Sequence, residues 1–233
     1  SDLTITGQYS PAGLFGIVEE QGSIESLSVR GVVSVSDSAD TTTGGIAGVN
    51  HGTLISCQFT GVVTGDSEVG GIVGRNESEG TIDHSTARAI VTGKSSTGGI
   101  AGYNLGAITG CTNVGSINTE YPEASLDTDG FTAKMVDYIN NKMAAADDDA
   151  TNSVTNVATD TGGIAGRSSG MILTSVNTGT IGYEHVGYNV GGIVGRTDGL
   201  VSGCVNQGRV LGRKDVGGIA GQEEPYRELD LSK

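Results

Sequence analysis

Arg75, Tyr103, Arg167 and Arg196 each follow directly on the last glycine of a recurring phrase, Gly-Gly-Ile-(Ala/Val)-Gly; Val49 and Gln222 hold the same place in two further copies. A guanidinium grips a carboxylate or sulfate through paired N–H donors, and it also stacks on an aromatic ring. These four are the candidate ligand-binding residues, facing outward in one column. Two outcomes are open for them: a strip that takes an anionic group of a glycan, or a solvated face bonded to neighbouring acidic side chains. The column holds no pair of carboxylates. A glycoside hydrolase needs two that face each other, and a lyase needs clustered carboxylates or a metal with an Arg or Lys base. Asp83 and His84 lie apart from the column, so the sequence offers no catalytic set.

Other chemistry is thinner still. No HExxH is present, since His185 follows Glu184 in YEHVG alone, and any peptidase activity belongs outside this segment. The three cysteines, Cys57, Cys111 and Cys204, contain no CxxC pair, and His51, His84 and His185 share no column. No metal site and no cofactor are expected from such spacing.

The elements that carry these residues are repeats. The phrase begins at Gly44, Gly70, Gly98, Gly162, Gly191 and Gly217, with a degenerate first copy at Ala12-Gly13-Leu14-Phe15-Gly16. Aligned copies give an apolar column, Leu14, Ile46, Ile72, Ile100, Ile164, Ile193 and Ile219, and a second, Ile24, Leu54, Ile82, Ile108, Ile172 and Val201. Beyond the small column of Leu27, Cys57, Ser85, Cys111, Ser175 and Cys204, every second residue stays in register as far as Val33, Val63, Val91, Ile117, Ile181 and Val210. Period two means strand. Each copy is predicted to hold two or three short strands, with glycines at positive-φ corners. Such copies must stack like on like, about 4.8 Å per layer, to bury their inner faces. The expected fold is all-β, a parallel β-helix (solenoid) of about seven layers with one helical insertion. A propeller blade needs about 40 residues, more than the copies supply.

Two inward columns carry sulfur or amide groups. Alternate layers hold the cysteines, which places them roughly 9.6 Å apart, beyond disulfide reach, as free small hydrophobes. Val29, Phe59 and Ala87 give way to Asn113, Asn177 and Asn206 in the next column. Stacked amides bond to one another and to backbone, so the column reads as a ladder more than as a pocket.

One domain spans 1–233, interrupted at 119–157. There Phe131, Met135, Tyr138, Ile139 and Met143 mark one face of an amphipathic helix that stops before Asp147-Asp148-Asp149. This arm either packs on the flank or serves recognition. The opening LTITGQYSPAG is expected to close one end as a cap strand. Residues 222–233 read as the start of a linker to further domains of the same chain, and the segment as a piece of something larger.

Charge narrows the partners. With 27 acidic against 13 basic residues and a formal net charge of -14, the chain lacks the basic clusters that neutralise nucleic-acid phosphates. The same charge disfavours anionic membrane surfaces, and no apolar run reaches the length of a span.

The phrase Gly-Gly-Ile-Ala-Gly-x-Asn-x-Gly-x-Ile-x-x-Cys-x-Asn-x-Gly-x-Val, nearly complete in residues 98–117, resembles the GLUG motif. That resemblance implies a large bacterial surface protein, adhesin-like or akin to the non-catalytic N-terminal part of IgA-specific metallopeptidases, and a location at the bacterial cell surface or secreted. The expected function is a non-enzymatic adhesion or spacer module; a uronate lyase or hydrolase-like enzyme is the alternative. Host glycans or extracellular matrix and mucin proteins are the expected partners. Copies drift, with Ser85 and Ala87 in one and Ser175 in another, as packing columns tolerate.

Overall fold

The structure, a computed structural model, describes residues 2–35, 41–120 and 158–224. The chain winds as a parallel β-solenoid of about six turns. One turn shows the plan: Thr43–Gly44, Ala47–Asn50, Thr53–Ile55 and Gln58–Thr64 are four strands that define faces 1 to 4. Four strands per turn, against the two or three expected from the columns, follow from corners so tight that single residues separate apolar positions. The faces form sheets of 6, 7, 6 and 8 strands, each strand pairing in parallel with its counterparts in the turns before and after.

The register is that of the aligned columns. Leu54 pairs with Ile82 and Ile82 with Ile108, while Val63 pairs with Val91. Ile46, Ile72, Ile100, Ile164 and Ile193 are all fully buried and form the spine of the core. At the first turn Leu3–Gly7 lies along Ser28–Val35 and closes the edge of face 4, as the cap strand was expected to do. Among the described residues there is no helix. The helical insertion expected at 119–157 and the linker from 222 lie, but for their first residues, outside the described residues, although Ala220–Glu223 still forms the last strand of face 2.

Glycine takes positive-φ corners at Gly110, Gly182, Gly187 and Gly203, as expected, and has a second task as well. The corner after face 3 is left-handed in turn after turn, yet Ser56 (φ 52°), His84 (φ 45°) and Thr174 (φ 47°) occupy it as well as Gly110 and Gly203. Glycines of the repeated phrase show no positive φ; what they supply is room. A methyl group on Gly74 would sit 2.5 Å from the Thr43 amide nitrogen and 2.8 Å from the Gly48 carbonyl oxygen, and one on Gly102 would overlap the Glu68 backbone. Face 1 and face 2 of adjacent turns approach so closely that only a residue without Cβ fits between them.

The core is also sealed by polar rungs. Asn113 Nδ2 donates to Asn177 Oδ1 at 2.8 Å, and Asn177 Nδ2 to Asn206 Oδ1 at 2.9 Å, the amide ladder expected from that column. A second ladder, not foreseen, runs under face 2: Asn50 donates to Asn76 (2.8 Å), Asn76 to Asn104 (2.9 Å) and Asn104 to Ser168 (3.1 Å). All three cysteines are free. Cys57 and Cys111 are buried and Cys204 is partly buried. The intervening serines take up backbone donors, Ser85 Oγ from the Cys57 amide and Ser175 Oγ from the Cys111 amide. Desolvation pushes the Cys111 thiol up to about 12 and raises those of Cys57 and Cys204.

Candidate functional site

Face 2 brings the four outward residues into one ladder. Arg75 pairs with Val49 and Tyr103, Tyr103 with Arg167, Arg167 with Arg196, and Arg196 with Gln222. Alternation places each side chain outside because the flanking Gly and Asn, Ser or Thr turn inward. The column is half-buried rather than fully exposed, with the Arg75 and Arg196 side chains at 29% and 27% exposure, since groups on face 1 and on the corner after face 2 lean across it.

Those groups are mostly acidic. Arg75 Nη1 bonds Glu68 Oε1 and Nε bonds Glu77 Oε1, both at 2.7 Å. Partial burial alone would lower the Arg75 pKa, but the bonds to Glu77 and Glu68 outweigh it and hold the guanidinium above its ordinary value. Arg196 Nη2 lies 3.2 Å from Asp160 Oδ2 and Nη1 lies 3.7 Å from Glu224 Oε1, while its Nε is buried without a partner. Asp160 is further held by Asn189 Nδ2 at 2.7 Å.

Tyr103 sits between two cations. The Arg75 and Arg167 guanidinium carbons lie 4.9 Å and 5.1 Å from its ring centroid, from the turns on either side. The Tyr103 hydroxyl meets Ser169 Oγ at 3.2 Å. Both ring faces are thereby occupied, which removes Tyr103 as a platform for a sugar. Arg167 forms no ion pair among the described residues: Asp160, seven residues before it as Glu68 is before Arg75, turns to Arg196 instead.

The acidic partners were missed in the sequence, and a signal for them exists. Glu68, Ser96, Asp160, Asn189 and Asp215 each lie two residues before a Gly-Gly step, are uniformly polar, and all adopt left-handed backbone with φ between 45° and 54°. That conformation turns the side chain away from the core and across the Arg column. Asp83 and His84, set apart in the sequence reading, pair with each other at 2.8 Å on the corner after face 3.

Residues 65–92 match the family model described as the GLUG motif. They span one whole turn, from the corner before face 1 to the end of face 4, and the turns on either side repeat its register. Residues 65–92 are thus one GLUG motif set within a parallel β-solenoid whose neighbouring turns repeat its register. Halomucin of Haloquadratum walsbyi (strain DSM 16790 / HBSQ001) is 36% identical to it over 75 residues, 32% of this chain and 1% of that protein. The chain thus spans about one hundredth of the length of the curated relative it matches. No solved structure matches the chain significantly.

Proposed function

We propose that this domain is a non-enzymatic repeat module of a bacterial surface or secreted protein, a stiff spacer that also offers an adhesive surface. The observation that carries the reading is the internal pairing of face 2. The cations nearest to forming a reactive cluster are bonded to Glu68, Glu77, Asp160 and Glu224 or stacked on Tyr103, and the Tyr103 stack and the Arg196 pairs brace successive turns. Glu68 and Glu77 lie close together, but on one guanidinium, which leaves them no separate acid and nucleophile roles. Similarity to a very long relative, named Halomucin, and the GLUG motif support the surface setting. A stack of turns extends a chain without flexing, because each turn is held by its neighbours along the whole width of four sheets.

The test against the enzyme alternative is incubation of the chain with polygalacturonate, alginate and hyaluronan, with release of reducing ends and of unsaturated products followed over time. No turnover is expected. Product formation that disappears in Glu68→Gln or Glu77→Gln would overturn the reading and make face 2 an active site.

A further inference from the structure

Face 4 is the broadest sheet, and its outer surface differs in charge from the rest of the molecule. Strands Ser28–Val35, Gln58–Thr64 and Thr86–Thr92 lie side by side in unbroken register, and later turns continue them through Thr112–Asn113, Val176–Asn177 and Val205–Asn206. The outward positions from Ser28 to Arg209 hold no Asp or Glu, in a chain where acidic residues outnumber basic ones 27 to 13. They do hold Arg30, Arg88 and Arg209, all exposed, and none of these forms an ion pair with a described residue. Asp2, just before the cap strand and one place beyond the Leu3–Gly31 pair, is the nearest carboxylate to Arg30 in register and forms no ion pair with it. The arginines of face 2 behave differently, since Arg75 and Arg196 are each held by two carboxylates.

Spacing defines the ligand. Arg30 pairs with Thr60 and Thr60 with Arg88, so the two guanidinium groups stand two strands apart, roughly 9.5 Å. Beside them runs an apolar stripe, Val32, Val62 and Ile90, also in register, with Val32 39% and Ile90 47% exposed. Sugar rings in an extended polysaccharide advance about one strand spacing each, and their C–H faces suit an apolar stripe.

We propose that face 4 binds a linear acidic polysaccharide that carries an anionic group on every second sugar, laid along the solenoid axis. Alternate anions meet Arg30 and Arg88, and the intervening ring lies over Val62 beside the Thr60 hydroxyl. The net charge of -14 opposes approach of a polyanion from afar, but ionic screening limits that repulsion to about 8 Å at physiological salt, and within that distance the unpaired arginines dominate. The inference rests on the adhesive part of the function proposed above and names its surface and its ligand class.

The test is a calorimetric or NMR titration of the full chain with a hexasaccharide of alternating glucuronate and N-acetylglucosamine. Arms with hexagalacturonate, charged on every sugar, and with neutral chitohexaose run alongside it. Saturable binding of the alternating chain is expected, weakening as salt rises, with neutral chitohexaose far weaker. Arg30→Gln and Arg88→Gln each weaken it about threefold, as exposed ion pairs do, and together about tenfold. Lys94→Gln, whose amine pairs with Asp66 on another part of the surface, leaves binding unchanged. Both arginines are exposed, so circular dichroism is expected to show the variants folded. Equal affinity for hexagalacturonate would overturn the spacing. Binding that survives the double variant but vanishes when residues 119–157 are replaced by a short turn would overturn face 4 and leave the adhesive reading standing. Absence of binding in every arm would overturn the face and count against adhesion, leaving the spacer.

Discussion

Asn76 is the most informative single position in the core. Fully buried, it accepts from Asn50 Nδ2 at 2.8 Å and donates to Asn104 Oδ1 at 2.9 Å and to the Gly80 carbonyl at 3.0 Å. Asn76→Ala removes all three bonds at once. Asn50 Nδ2 keeps a bond to the Gly52 carbonyl at 3.2 Å and the Gly80 carbonyl keeps the Ala107 amide at 3.0 Å, but Asn104 Oδ1 loses its donor in a site closed to water. At about 1–3 kcal/mol for the acceptor left unpaired, and about 0.5–1.5 kcal/mol for each of the bonds lost from Asn50 and to Gly80, the expected loss is about 2–6 kcal/mol. Asn76→Ser should cost about half of that, because the hydroxyl of Ser168 fills the equivalent position one turn above Asn104 and accepts its amide at 3.1 Å. Asn206→Ala, at the partly exposed end of the other ladder, is the control and should cost about 1 kcal/mol. Urea unfolding followed by circular dichroism gives the totals, and amide exchange locates them. In a stack with nearest-neighbour coupling, the Gly52, Gly80 and Gly106 amides should open first. A loss below about 0.5 kcal/mol for Asn76→Ala, or one equal to that of Asn206→Ala, would refute the view that the amides are structural rungs.

Two further outcomes follow from burial and close approach. The Cys111 thiol, held at about 12 by desolvation against an ordinary 9.0, stays protonated in the fold after the unfolded chain has begun to ionise. Its contribution to stability is therefore complete below pH 9.0 and is lost as pH rises towards 12, at about 1.4 kcal/mol per unit. Cys111→Ser should flatten that loss at little cost near neutrality, as Ser85 and Ser175 hold the same column. Parallel urea titrations from neutral to alkaline pH measure it, and identical slopes for the two proteins would refute the assignment. Gly102→Ala forces a methyl group into the Glu68 backbone and should destabilise by about 3 kcal/mol or more, at the upper end of overpacking costs. Gly203→Ala, on a left-handed corner already occupied by Ser, His and Thr in other turns, should cost about 1 kcal/mol, and thermal melts that rank the two the other way would show that φ, not room, dictates glycine here.

The fold was legible because a solenoid writes its contacts into the sequence. Ile72 touches Ile46 and Ile100 for the same reason that it aligns with them, so column alignment is register. Strand number was not legible, since Thr43–Gly44 and Thr53–Ile55 are too short for period two to appear and are recognised only through pairing with their copies. The roles of the glycines were read only in part, right for corners such as Gly110 and Gly203 and not for the repeated phrase, because composition cannot distinguish a residue chosen for positive φ from one chosen for lacking Cβ. The outward column of Arg75, Tyr103, Arg167 and Arg196 was found in full, yet its state was not. Whether a cation is free depends on Glu68 and Asp160, which reach it from another face through a left-handed turn of backbone.

That dependence explains why two arginine columns on one molecule have different uses. Face 2 follows a face-1 strand with a left-handed residue two places before its Gly-Gly step, and where that residue is Glu68 or Asp160 it neutralises an arginine of the column. Face 4 follows the corner of Ser26, Ser56, His84, Gly110, Thr174 and Gly203, where the left-handed site carries no acid. Arg30 and Arg88 consequently flank Thr60 beside Val32, Val62 and Ile90 in their own sheet, form no ion pair with a described residue, and keep their charge available to the solvent side. Substitution at a corner thus sets the charge of the face beside it without touching the core. The repeats can hold their inward columns fixed for rigidity while one face is knitted shut by ion pairs and another is left open to a ligand.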